Sequence, residues 1–194
     1  MHRRHALSLL LATAAAGCMD SKPAFKAVDI TGAEYARDFP LPDTTGRMRS
    51  VKDFQGKAVV VFFGFTQCPD VCPTTLTELS TARQLLGADG ARVQGIFVTV
   101  DPERDTPQVL QAYLANFGPD YVGLRGTPEQ LAAVAKDFKI YYKKVEGKTP
   151  GSYTMDHSAA SYVYDPQGRL RLYTRYGSGA QALADDLRLL LKQG

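Results

Sequence analysis

Two cysteines and one distant histidine are the residues of this sequence best suited to chemistry. Cys68 and Cys72 lie four positions apart in the segment GFTQCPDVCPTT, and His157 follows 89 positions after Cys68. Thiols at this spacing can form a disulfide, exchange electrons as a redox pair, or bind a soft metal ion. Because a thiolate is both the redox nucleophile and the metal ligand, the spacing alone leaves these alternatives open.

Residues 1–18 are typical of an export signal. They begin with Arg3 and Arg4, continue with an apolar stretch too short to cross a bilayer, and end in AAGC. The ending resembles a bacterial lipoprotein signal, in which the cysteine becomes the lipidated first residue. We therefore expect a lipid on Cys18, with ordinary cleavage nearby as the alternative.

Export changes the set of reactive groups. We expect residues 19–37 to form a tether and residues 38–194 to form the folded domain. Once the signal is removed, His157 is the remaining histidine, and a lipid on Cys18 leaves two free thiols. Thiols tend to be oxidised outside the cytoplasm, so two close cysteines there form either a plain disulfide or a reactive pair.

The composition fits one exported globular domain. The chain has 194 residues, of which 44% are hydrophobic and 22% are charged. Its formal net charge of +3 is small, and it contains no long basic block. This charge pattern gives no support to a nucleic-acid-binding function.

Three uses of the cysteine pair can be compared on chemical grounds. A permanent disulfide would close a very small loop, which removes little entropy from the unfolded chain. A structural zinc ion needs about four ligands, and two thiols with one imidazole fall one short. Soft thiolates select Cu(I), and imidazole suits copper as well, so the same three groups make a complete low-coordinate copper site. A redox pair remains open beside copper binding.

The hydrophobic pattern predicts alternating strands and helices. Continuous apolar runs at 58–65 and 93–101 predict strands buried on both faces, and a shorter strand is expected at 123–126. Hairpins are predicted at 39–57 and 161–176. Helices are predicted over about 72–86, from residue 106, after a capping box at 127–130, and near the C-terminus.

This order predicts an α/β fold with a mainly parallel central sheet, flanking helices and an N-terminal hairpin. A cysteine motif after the first buried strand, where a helix begins, is the thioredoxin-like arrangement. The helix N-terminus is expected to favour the thiolate forms of Cys68 and Cys72. In such folds the loop before the strand at 161–164 faces the cysteines. We therefore expect His157 to approach them, against the alternative of a surface histidine on a loop.

Several acidic residues could support such a site. Asp101 and Asp105 follow the second buried strand, where we favour a turn and a helix cap over a role in the site or in docking. Asp156 could orient the imidazole of His157, or it could be solvent-exposed. Met155 offers a soft thioether, although a methionine beside a strand is more often part of the core.

Aromatic and basic residues complete the candidates. Phe63, Phe65 and Tyr153 are predicted to wall the cleft, with core packing as the alternative for Phe63. A group of lysines is expected to form a solvated face, with docking of an acidic partner as the alternative. These residues are Lys136, Lys139, Lys143, Lys144 and Lys148.

Three segments together resemble the Sco family, also called SenC. They are FFGFTQCPDVCP (62–73), TVDPERDTP (99–107) and MDHSAASYVYDPQG (155–168). The combination, in this order and spacing, is more specific than any one segment, and the resemblance extends from about residue 39 to the C-terminus.

The resemblance implies a thioredoxin-like fold that binds one copper ion, as Cu(I) or Cu(II), through Cys68, Cys72 and His157. It also implies a role in building the dinuclear copper centre of cytochrome c oxidase. The expected partners are the copper-centre subunit of the oxidase and other periplasmic copper carriers or thiol reductants. With a lipid on Cys18, the expected location is the periplasmic face of a bacterial inner membrane.

Two enzymatic alternatives stay open. Cys68 and Cys72 could be the redox pair of a thiol-disulfide oxidoreductase that reduces the cysteines of the oxidase subunit. A peroxidase is the weaker alternative, since peroxiredoxins share the fold. Copper delivery and thiol reduction can coexist, because a disulfide removes two of the three ligands.

Overall fold

A mixed six-stranded sheet forms the centre of the protein in a computed structural model that describes residues 24–193. The strands of this sheet are β1 (Val28–Asp29), β4 (Ala58–Gly64), β5 (Val93–Thr99), β6 (Tyr121–Leu124), β9 (Ser161–Tyr164) and β10 (Leu170–Thr174). Their order across the sheet is β1-β10-β9-β4-β5-β6. Two small antiparallel pairs stand beside it: β2 (Leu41–Pro42) with β3 (Met48–Arg49), and β7 (Tyr142–Glu146) with β8 (Tyr153–His157).

Helices cover this sheet, which confirms the predicted α/β class. They are α1 (Val71–Leu85), α2 (Pro107–Ala115), α3 (Pro128–Asp137) and α4 (Ala180–Lys192), with short 3-10 turns at Val51–Phe54 and Gly87–Arg92. Helices α1 and α4 pack together in one apolar cluster with β4 and β10. The larger apolar cluster joins α2 and α3 to the rest of the sheet. Strands β4 and β5 are buried along their whole lengths, as their continuous apolar runs predict.

The sheet is less parallel than predicted. Strand β4 pairs in parallel with β5, and β5 pairs in parallel with β6. In contrast, β9 runs antiparallel to β4, β10 antiparallel to β9, and β1 antiparallel to β10. The predicted hairpin at 161–176 accounts for the antiparallel β9–β10 pair.

The N-terminal part of the described chain lies against the domain rather than apart from it. Strand β1 falls within the segment predicted as a tether, and it adds an edge to the sheet beside β10. The buried carboxylate of Asp186 on α4 accepts hydrogen bonds from the backbone N–H groups of Lys26 and Ala27, at 2.7 and 2.8 Å. A buried carboxylate needs such donors, and here the supposed tether supplies them.

The β7–β8 hairpin was not predicted from the sequence. Strand β7 (YKKVE) is exposed over four of its five residues and lacks apolar alternation. Strand β8 (YTMDH) alternates, but only over five residues that are at most half-buried. The predicted position of His157 in a loop is therefore corrected, because His157 is the last residue of β8.

The predicted signal, the lipid on Cys18 and the first part of the tether lie outside the described residues. Within residues 24–193, no helix combines the length and the apolar character needed to cross a bilayer.

Candidate metal centre

The two cysteines lie where β4 gives way to α1. The N–H of Cys68 donates to the carbonyl oxygen of Phe65 at 3.2 Å, which forms the turn that follows the strand. Cys72 occupies the first turn of α1, and its N–H faces the Sγ atom of Cys68 at 3.4 Å. Both thiols are free; the Cys72 side chain is fully buried and that of Cys68 is half-buried. The pair therefore joins a turn to a helix start, with the outer sulfur nearer to solvent.

His157 reaches the same point from the β7–β8 hairpin. Its Nε2 atom lies 3.6 Å from Sγ of Cys72. The ligating atoms of Cys68, Cys72 and His157 all lie within 4.8 Å of one another. On the other side of the ring, Nδ1 lies 2.9 Å from the carbonyl oxygen of Ser158. Since a carbonyl only accepts, Nδ1 carries the proton and Nε2 presents its lone pair to the sulfurs. The expected convergence of imidazole and thiols is confirmed.

An apolar shell surrounds the three ligating groups. The rings of Phe62 and Phe65 meet the His157 ring edge-on, with centroids 6.0 and 5.7 Å away. The prediction for Phe63 is corrected: it packs against Phe138 at 5.1 Å, on the other face of β4. Side chains alternate along a strand, so the neighbouring Phe62 takes the place that we expected Phe63 to fill.

Gly64 makes room for the buried sulfur. A Cβ atom at this position would lie 2.7 Å from Sγ of Cys72 and 2.9 Å from the ring of Phe62. The cysteine and histidine motifs do not point to this glycine. Its place at the end of a buried strand, four residues before the first cysteine, was the available signal, because a strand glycine often marks a close approach.

Burial sets the protonation of the site. Burial is the largest influence on the Cys72 thiol and raises its pKa. The hydrogen bond from the backbone N–H of Phe65 lowers this pKa and opposes burial only in part. Burial also lowers the pKa of His157 below the usual 6.5. The expected stabilisation of a Cys72 thiolate by the helix N-terminus is thus outweighed by loss of solvent. At neutral pH the site holds a neutral thiol and a neutral imidazole, and a metal cation would displace the thiol proton.

Asp105 forms hydrogen bonds to the turn that precedes Cys68. Its buried carboxylate accepts hydrogen bonds from the N–H and the hydroxyl of Thr66 and from the hydroxyl of Thr99, the last two at 2.6 and 2.5 Å. Burial raises the pKa of Asp105, although these hydrogen bonds lower it. The favoured interpretation as a helix cap is corrected, since Thr106 caps α2 by accepting from Val109. Asp105 joins the turn before Cys68 to the end of β5.

The other two acids have different surroundings. Asp101 is buried and accepts hydrogen bonds from the hydroxyl of Tyr153, at 3.0 Å, and from Arg104. Asp156 is exposed and lies opposite Lys143 in the hairpin register. Adjacent residues of a strand point to opposite faces, so Asp156 faces away from the side on which His157 meets the thiols. The carbonyl of Ser158, which no side-chain pattern could reveal, takes the role considered for Asp156.

Met155 lies against the core and the lysines lie on the surface, as the sequence predicts. Met155 is half-buried and packs against the core. Lys144 pairs with Glu103 at 3.1 Å. All five lysines of the predicted face are exposed: Lys136, Lys139, Lys143, Lys144 and Lys148.

The fold and the site together define a thioredoxin-like protein with a candidate metal centre of two thiols and one imidazole at the carboxyl end of its central strands. The model of the SCO1/SenC family matches residues 28–192. The chain belongs to the SCO1/SenC family.

Individual relatives agree with this assignment. The mitochondrial SCO2 homolog of Bos taurus is 40% identical over 153 residues, which are 78% of this chain and 58% of that protein. The chain thus spans a little over half the length of this relative. The structure of Bradyrhizobium japonicum ScoI with copper bound has a TM-score of 0.71 and 41% identity, covering 79% of this chain and 97% of the other. Apo Sco1 from Thermus thermophilus has a TM-score of 0.76 and 39% identity, covering 86% and 97%.

Proposed function

We propose that this protein binds one copper ion through Cys68, Cys72 and His157 and hands it on during assembly of cytochrome c oxidase. The observation that carries the proposal is the convergence of two thiol sulfurs and an imidazole nitrogen within 4.8 Å. Two soft sulfur ligands with one imidazole suit copper better than a hard cation. The similarity to a ScoI structure that contains copper supports the choice of metal.

The arrangement suits a metal that must leave again. Three protein ligands leave Cu(I) a position at which an incoming ligand can bind. Cys68 is the half-buried member of the set, whereas Cys72 is fully buried. A partner thiol or thioether therefore approaches from the Cys68 side, and the ion passes between proteins without being released into water.

The client and the location follow from family membership and from the N-terminal signal. The SCO1/SenC assignment supports the copper-centre subunit of the oxidase as the recipient. The lipoprotein-like residues before Cys18 support a lipid anchor at the periplasmic face of the inner membrane. Other copper carriers or thiol reductants are the expected upstream partners.

Thiol-disulfide exchange is a second candidate function. The N–H of Cys72 faces Sγ of Cys68, and the two sulfurs lie within 4.8 Å of each other, so a small movement brings them to bonding distance. In the exchange, the Cys68–Cys72 disulfide forms as a client disulfide becomes two thiols, which balances electrons and protons. The half-buried Cys68 is the attacking sulfur, since burial keeps the Cys72 thiol protonated.

Copper titration of the reduced protein tests the first proposal. We expect one Cu(I) per chain, an affinity lowered by more than about tenfold in His157→Ala, and loss of tight binding in Cys72→Ser. Thr154→Ala, an exposed change on the same strand as His157, is the matched control. Full copper affinity in His157→Ala would contradict the proposed ligand set.

A reductase assay separates the two functions. A peptide that carries the two oxidised cysteines of the oxidase copper site serves as substrate. If thiol exchange is the activity, His157→Ala retains peptide reduction and Cys68→Ser abolishes it. A protein that binds copper but leaves the peptide oxidised supports delivery alone.

A further inference from the structure

Arg104 contacts both chain segments that supply the candidate ligands. Its Nη1 atom donates to Oε1 of Gln67 at 3.1 Å and to the carbonyl oxygen of Tyr153 at 2.8 Å. Gln67 directly precedes Cys68, and Tyr153 begins the strand that ends at His157. One guanidinium group therefore joins the cysteine turn to the histidine hairpin.

The guanidinium is itself held in place. Its Nε atom donates to the buried carboxylate of Asp101, which also accepts from the hydroxyl of Tyr153. The guanidinium carbon lies 3.6 Å from the centroid of the Tyr153 ring and 5.8 Å from that of Phe65. Only arginine has a planar fork that can donate in several directions while it stacks on aromatic rings. The side chain is 19% exposed, so these contacts are poorly screened by solvent.

Packing continues the link to the imidazole. Phe65 contacts Arg104 on one side and meets the His157 ring on another, with ring centroids 5.7 Å apart. The β7–β8 hairpin needs such an attachment, because among the described residues its strands pair with each other and not with the central sheet. Without Arg104, the hairpin would lose a direct hydrogen-bonded connection to the cysteine turn.

We infer that Arg104 is a positioning residue that sets the separation between the two sulfurs and the His157 ring. The inference rests on the proposed copper function and adds a residue that acts through another rather than on the metal. Cys72 is placed by α1, whereas His157 is placed by the β7–β8 hairpin. Arg104 joins this hairpin to the turn that holds Cys68.

A double-mutant cycle tests this role. Arg104→Lys keeps the charge and loses the fork. In the otherwise wild-type protein we expect it to weaken Cu(I) affinity by about tenfold, in the range found for residues that orient ligands. In the His157→Ala background the same substitution should change the affinity by less than about twofold, because the group that it positions is gone. The Cu(II) form of Arg104→Lys should lose the electron paramagnetic resonance coupling to the imidazole nitrogen.

Arg47→Lys is the matched control. Arg47 also pairs with an aspartate, Asp53, but is 65% exposed and makes this contact near the β2–β3 hairpin. It should leave both the affinity and the nitrogen coupling unchanged. If Arg104→Lys fails to fold, Gln67→Ala removes only the Nη1 contact to the cysteine turn and should give a smaller weakening that also vanishes without His157.

Two results would overturn the inference. One is an unchanged copper affinity and nitrogen coupling in the folded variant. The other is an equal weakening with and without His157, which would indicate a general loss of structure. Failure of the wild-type protein to bind copper would instead refute the proposed function.

Discussion

Gly64→Ala should move the buried sulfur of the site. The added Cβ would lie 2.7 Å from Sγ of Cys72, 2.9 Å from the ring of Phe62 and 3.0 Å from that of Phe97. The optimal separation of non-bonded heavy atoms is about 3.5–4.0 Å. The sulfur must therefore move away by about 1 Å, or the strand must shift. Overpacking of this kind costs about 1–3 kcal/mol of the free energy of unfolding.

The effect on metal binding should exceed the effect on stability. A ligand displaced by about 1 Å no longer fits a site built around three fixed groups. We therefore expect Cu(I) affinity, measured by competition with a chromogenic chelator, to fall by about tenfold or more. Urea denaturation of the apo protein gives the stability of the same variant.

Gly95→Ala separates these two effects. Its Cβ would lie 2.5 Å from the Tyr121 ring and 3.1 Å from Leu79, so it also overpacks a buried strand, but its nearest contacts do not include the thiols. We expect a comparable loss of stability with unchanged copper affinity. The reasoning is refuted if both variants bind copper alike, whether as tightly as wild type or equally weakly.

Three further predictions concern charge and pH. Burial favours a higher pKa for Asp43, but hydrogen bonds, led by those from Thr45 and Arg49, outweigh it and lower the pKa from 3.8 to about 2. Asp43→Asn should therefore lose about 2 kcal/mol of unfolding free energy at pH 7. That difference from wild type should shrink as pH falls from 3.8 to about 2; a constant difference in acid titrations would contradict it. Asp186→Ala should cost about 1–3 kcal/mol and release residues 25–29, detected as faster amide exchange there; unchanged protection would contradict the docking contacts. Since burial lowers the pKa of His157, the apo protein should lose stability as pH falls below 6.5, where the unfolded imidazole gains a proton first. His157→Ala should flatten that part of the stability curve, and an identical slope would exclude this cause.

The main elements of the fold follow from local patterns. Continuous apolar runs identify β4 and β5, because strands buried on both faces need apolar residues throughout. Thr127 and Gln130 form the capping box that begins α3. Strands that are exposed or very short were harder to predict from the sequence. The β7–β8 hairpin was not predicted because the exposed strand β7 carries little periodic signal and β8 alternates over only five residues. The edge strand β1 was not predicted because two residues show no pattern.

For the site, the sequence indicated which side chains could bind a metal, but it gave less information on the residues that hold those side chains in place. The types of Cys68, Cys72 and His157 indicated a candidate soft-metal site, the family resemblance implied the same three ligands, and the structure brings the three groups together. The sequence pattern favours a helix cap at Asp105 and does not identify Gly64 or Arg104 as part of the site. The roles of Asp105 and Arg104 depend on distances to residues far along the chain, and such distances exist only after folding.

By itself, the sequence determined the α/β pattern and the soft character of the three ligating groups, since both depend on the kinds of residue and their local spacing. The tertiary structure decided which faces these groups occupy, how far they are from water and what holds them. Burial illustrates the difference: a helix start favours a thiolate, but the packing around Cys72 raises the pKa of its thiol. The free energy of a charge depends on every neighbour in three dimensions, and most of those neighbours are distant in the chain.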